Sequence, residues 1–142
     1  MKITLDTNIL IYASLKNAFV RAEIEYISDN YTLVLSQYVI DEYIDVIGRS
    51  NIVKYNPINI LETINYKVID TEYIDYYLFE IRDKDDYQVL YDAILNDVDI
   101  FITNDKDFVD VKVCKPRIMT TFSIFTRVYA RRQLSCLFVL IS

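Results

Sequence analysis

The chain of 142 residues has no histidine and a single glycine, Gly48. The first absence excludes Ser-His-Asp and Cys-His nucleophile systems and any His-rich zinc site. The second excludes a Walker A loop and a GxGxxG dinucleotide turn. Cysteine is scarce as well. Cys114 and Cys136 show neither CxxC nor zinc-like spacing, so reduced thiols are expected. No apolar stretch approaches the roughly 20 residues that a membrane span needs. The opening MKITLD runs directly into a strand-like pattern instead of the long apolar stretch of a signal peptide, and a cytoplasmic chain is the expectation. Any catalysis must rest on carboxylates, with Lys, Tyr, Ser or Thr in support.

What is present is an apolar content of 53%, enough for one domain with a real core. The net charge is −6, which by itself argues against a nucleic-acid partner. The charge is unevenly spread, however. Residues 1–110 carry 21 acids against 9 bases, whereas 111–142 carry no acid and six bases: Lys112, Lys115, Arg117, Arg127, Arg131 and Arg132. A basic end beside an acidic body suits phosphate or an acidic partner, and suits an ordinary solvated surface equally well.

Periodicity predicts alternating strands and helices. Lys2–Leu5, Tyr31–Leu35 and Asp99–Thr103 read as strands, with Tyr66–Ile69 and Arg117–Thr120 as further extended segments. Helices are expected over Ile9–Leu15, Ala18–Ser28, Ser36 to about Arg49, Pro57–Ile64, Glu72–Ile81, Asp85–Asn96 and Thr121–Ala130. In the Asp85 helix, Asp85 and Gln88 match a capping box. This order implies an α/β three-layer sandwich, a mainly parallel sheet covered by helices on both faces. Residues 1–130 form the expected domain. Residues 131–142 are a tail whose apolar run Leu137–Ile141 fits an edge strand, a dimer contact or a disordered end.

In such sheets ligands gather at the carboxyl ends of the strands. Asp6 ends the first strand and Asp105 follows Thr103 by two residues. Each has an ordinary reading as a turn or cap residue, although Asn8 and Asp107 fit that role better. Asp86 is sharper: it falls within roughly 10° of the centre of the stripe Val89, Leu90, Ala93 and Ile94, and a core-facing acid is costly unless paired or bound to metal. Asp92, roughly 130° away, is expected in solvent. Glu42 lies about 130° from the apolar stripe of its own helix, so spacing alone makes it a surface residue, with Asp41 and Asp45 as alternatives.

Together, LDTNIL (5–10), the Glu42 helix after Leu35-Ser36, RDKDDYQVL (82–90) and ITNDKDF (102–108) resemble the PIN domain. The likeness is greatest to the branch of toxin components in toxin–antitoxin systems, relatives of the VapC ribonucleases, and it runs from Met1 to about Phe125. The resemblance implies a parallel sheet between helices, often dimeric, with a ring of acids binding Mg²⁺ or Mn²⁺. Carried over by position, that ring is Asp6, Glu42, Asp86 and Asp105, with Thr103 and Asn8 as supporting polar residues. Alignment leaves Asp85 and Asp86 both open; the helical face favours Asp86. Asn104 stands where the branch usually has glycine, a turn that asparagine tolerates.

On this reading the chain is a metal-dependent endoribonuclease. Close carboxylates repel by several kcal/mol at an effective dielectric of about 20, and a hard divalent cation with oxygen ligands offsets that repulsion. Arg82 and Lys106 are candidate phosphate contacts. RNA is the implied substrate, with a small antitoxin and a second copy of the chain as implied partners. A haloacid-dehalogenase-type phosphatase starts similarly, and a response-regulator receiver also uses acids and Mg²⁺ at strand ends. The phosphatase needs an Asp where Asn8 stands, and the receiver needs paired acids near its first strand. The remaining alternative is an inactive PIN-like binding module.

Overall fold

The computed structural model describes residues 1–15, 17–73, 78–83 and 86–121. Five strands, β1 (Lys2–Leu5), β2 (Thr32–Ser36), β3 (Lys67–Ile69), β4 (Ile100–Ile102) and β5 (Arg117–Met119), form one sheet in the order β3-β2-β1-β4-β5. Every neighbouring pair is parallel. The helices are α1 (Thr7–Ser14), α2 (Ala18–Asn30), α3 (Gln37–Ile47), the short α4 (Ser50–Val53) and α5 (Tyr87–Leu95). Parallel strands demand such crossovers.

Strands buried on both faces read as continuous apolar runs, and TLVLS and IFI do. Successive strand side chains point to opposite faces, and the packing follows. Leu33 and Leu35 join the main core with Ile9, Leu10, Val39 and Phe101. Val34, between them, packs with Ala93 of α5 and Val98. Both faces are therefore covered, and the α/β sandwich expected from the sequence is the observed fold.

Local chemistry sets the boundaries. Asp6 takes an extended conformation that ends β1 and caps α1, so that helix starts at Thr7, two residues earlier than its apolar pattern. Ser36 ends β2 and accepts the Val39 amide, starting α3, and Gly48 closes it. Other expectations fail. Of Pro57–Ile64 only Ile60–Glu62 is helical, as a 3₁₀ turn capped by Asn59. Glu72, Tyr73 and 78–81 are not helical. Both peptide groups of Glu72 are bonded to side chains of α5. The remainder of that segment, Asp85, the Thr121–Ala130 helix beyond its first residue, Cys136 and the 131–142 tail lie outside the described residues. Cys114 is an exposed free thiol. Among the described residues, no helix is long and apolar enough to cross a membrane.

Candidate active site

Strand order reverses about β1: the chain builds outward through β2 and β3, then returns to lay β4 on the other side. The crevice at the carboxyl ends of β1 and β4 is the topological switch point, where such sheets bind ligands. Register decides what lines it. Leu5 pairs with Ile102, and the Asp6 amide donates to the Ile102 carbonyl at 2.9 Å. Asp6 and Thr103 thereby become neighbours across 97 positions of sequence.

Thr103 is buried, and its hydroxyl serves both acids. It donates to Asp6 Oδ2 at 2.8 Å and accepts the Asp105 backbone N–H at 3.0 Å. On the other side of Asp6, Thr7 Oγ1 donates to Glu42 Oε2 at 2.7 Å. Glu42 is exposed on α3, as its periodicity indicates, yet Thr7 turns it toward β1.

Asp6 is only 5% exposed. Burial pushes its carboxyl up to about 6, against the opposing pull of the Thr103 hydroxyl and the Thr7 amide, and Asp105 and Glu42 push it further the same way. Asp86 starts α5 without a side-chain cap bond. Burial raises its carboxyl to about 7, with Asp105, Asp6, Asp83 and Asp107 adding repulsion. Its Oδ2 is buried with no hydrogen-bond partner among the described residues. The fold thus brings Asp6, Glu42, Asp86 and Asp105 into one electrostatic group.

Two further acids were not read from the sequence as site residues. Asp83 and Asp107 each present a carboxylate oxygen within 4.8 Å of Asp86's and of one another. Both stand within three residues of a candidate acid, which is the signal that could have found them. Arg82, 84% exposed, lies 3.6 Å from Asp107, and Lys106 is exposed at the same rim.

Three expectations need correction. Asp105, not Asp107, is the cap of the 3₁₀ turn Lys106–Phe108: its Oδ1 accepts the Asp107 amide at 2.9 Å. Asn8 is an exposed residue within α1, and the N-cap is Asp6. Asp92, placed in solvent by periodicity, is 1% exposed, because the segment after β3 covers that face of α5 and Glu72 N–H donates to its Oδ1. Gln88, whose expected capping-box partner Asp85 lies outside the described residues, donates to Glu72 O and Asp92 Oδ1. Asn104 is also engaged: its side chain bonds Thr121 through both the Thr121 amide and hydroxyl.

A parallel sheet with mutually repelling carboxylates at its switch point defines an acid-centred α/β domain. A family model of the PIN domain matches residues 2–107, and the chain belongs to that family. Among solved structures, a chain in the crystal structure of VapBC2 from Rickettsia felis, bound to a DNA fragment from their promoter, has a similar fold. The TM-score is 0.58 at 17% sequence identity, over 84% of this chain and 98% of that one. None of the curated proteins compared matches the chain.

Proposed function

We propose that this PIN domain is a divalent-metal-dependent endoribonuclease, acting in the cytoplasm as the toxin of a toxin–antitoxin pair. The observation that carries the reading is the state of its acids. Asp6 and Asp86 are both pushed well above the usual carboxylate range by burial and by neighbouring carboxylates, and Asp86 Oδ2 lacks a partner among the described residues. A protein that gathers repelling carboxylates in a crevice destabilises itself unless a cation offsets the repulsion. The donors are all oxygen, which suits Mg²⁺ or Mn²⁺ over zinc.

Asp6, Asp86 and Asp105 would hold the cation, with Glu42 completing the set. A bound divalent ion supplies charge neutralisation at phosphate and a lowered pKa for coordinated water. The chain's own residues do the rest. Thr103 keeps Asp6 and Asp105 in fixed relation through one hydroxyl, and Thr7 orients Glu42 toward the crevice. Arg82 and Lys106 at the rim attract the phosphate backbone. The product would carry a 5′-phosphate and a 3′-hydroxyl. The VapBC2 neighbour supports a small antitoxin partner able to cover an acidic crevice, and the family likeness supports a homodimer.

The test is RNA cleavage by purified protein in Mn²⁺. Asp6→Asn should lower turnover by at least about 100-fold, since it removes a ligand from the centre of the group. Undiminished cleavage, with contaminating nuclease excluded, would defeat the assignment. Mn²⁺ titration separates this reading from an inactive binding module, which would show no acid-dependent cation site.

A further inference from the structure

Glu42 and Asp86 stand on helices from distant parts of the chain, and a two-residue segment, Thr71–Glu72, ties those helices together. On one side Thr71 Oγ1 accepts the Tyr38 backbone N–H at 2.8 Å. That amide lies in the first turn of α3, where no carbonyl of the helix can serve it. Ser36 takes the next one, Val39. The start of α3 is therefore capped twice, once by its own strand and once from outside.

On the other side α5 holds both peptide groups of Glu72. Asp92 Oδ1 accepts its N–H at 3.2 Å, and Gln88 Nε2 donates to its carbonyl at 2.8 Å. Gln88 Nε2 also donates to Asp92 Oδ1 at 2.9 Å, which locks the two side chains to each other. Asp92 is 1% exposed, an environment that penalises a carboxyl heavily. A leucine would pack there at less cost, and would grip nothing.

We propose that Thr71, Gln88 and Asp92 are positioning residues for the acid site. They set the separation between Glu42, one turn along α3 from Tyr38, and Asp86, in the same turn as Gln88. The segment makes a firm strut because β3 ends at Ile69, two residues before Thr71, and pairs with β2, whose own end leads straight into α3. The inference rests on reading the four acids as cation ligands, and its test is built to separate the two ideas.

The measurement is Mn²⁺ affinity of the full chain by calorimetry or electron paramagnetic resonance, with circular dichroism melts alongside. Thr71→Val removes the acceptor for Tyr38 N–H and should weaken Mn²⁺ by up to about tenfold, the low end of what losing a direct partner of a metal ligand costs. Thr71→Ser, which keeps the hydroxyl, should restore wild-type affinity. In a Glu42→Gln background Thr71→Val should cost nothing further, because the carboxylate being placed is gone. A general loss of stability would instead weaken both backgrounds equally, and that outcome overturns the proposal, as does wild-type affinity in Thr71→Val. If Thr71→Val fails to fold, Gln88→Leu cuts the strut at a half-buried position and decides the matter by the same cycle. Unchanged Mn²⁺ binding in Asp6→Asn would sink the metal reading and the strut with it. Loss in Asp6→Asn beside wild-type binding in Thr71→Val sinks the strut alone.

Discussion

The Thr103 hydroxyl donates to Asp6 Oδ2 at 2.8 Å while its own oxygen receives the Asp105 amide at 3.0 Å. One buried side chain thereby sets the distance between two acids that stand far apart in the sequence. The donor stabilises the ionised form of Asp6 and partly opposes the effect of burial.

Removing that donor has a definite sign. Thr103→Val should move the Asp6 titration of the metal-free protein above 6, because a group favouring the charged form is lost. The acid limb of the cleavage profile should shift to higher pH with it. Carboxyl ¹³C NMR titration and turnover against pH would check this, with Thr103→Ser restoring both. A midpoint unmoved in the valine variant would show that the hydroxyl does not serve Asp6.

The raised carboxyls also predict how stability depends on pH without metal. Asp6 titrates near 6 when folded and near 3.8 as a free side chain. Between those values the folded state binds more protons, so its contribution to stability is present at low pH and is lost as pH rises through 6. Asp86 acts in the same direction up to about 7. At a pH of about 7.5 Asp6→Asn should therefore stabilise the metal-free protein by about 1–3 kcal/mol, or several degrees of melting temperature. With saturating Mn²⁺ the order should reverse, because the variant has lost ligand-linked stability. Melting curves with and without chelator test both halves.

Arg82 and Lys106 should matter for substrate and not for the fold. Arg82 is 84% exposed and its contact with Asp107 is 3.6 Å long, so the ion pair contributes little to stability. Arg82→Ala and Lys106→Ala should each leave the melting temperature within about 1 °C of wild type, as exposed pairs typically do. Each should raise KM for RNA a few-fold and reduce the salt dependence by about one counterion. KM values that do not change across roughly 50–200 mM salt would remove both from the phosphate path.

Beside Glu42 on α3, Tyr43 is fully buried and its hydroxyl meets Ser14 Oγ at 2.6 Å and accepts the Ile60 amide at 3.1 Å. Tyr43→Phe leaves both groups without that partner in the core, which should cost about 1–3 kcal/mol. Chemical denaturation would measure it, with Mn²⁺ affinity unchanged at temperatures where the variant is folded.

Several features are readable from the residues because they are local. The strands β1, β2 and β4 announce themselves by apolar runs, Ser36 and Gly48 bracket α3 by cap chemistry, and Asp86 draws notice as an acid on an apolar stripe. Glu42 emerges only through resemblance to the PIN domain, since its position on α3 is a surface one. Asp83 draws no notice and Asp107 reads as a cap, because acids between elements look alike until the chain closes and brings them beside Asp86.

The sequence by itself determined the α/β alternation and, by omitting histidine and nearly all glycine, confined any chemistry to carboxylates, because residue type and period need no partners to act. Tertiary structure alone decided which acids meet. The Leu5–Ile102 register sets Asp6 beside Thr103, and the Thr71–Glu72 segment turns Asp92 from a solvent-facing residue into a buried one. Neither outcome is a property of a local window: each depends on strands and loops far apart in the chain finding the same face. A shift of one residue in pairing would point every such side chain the other way.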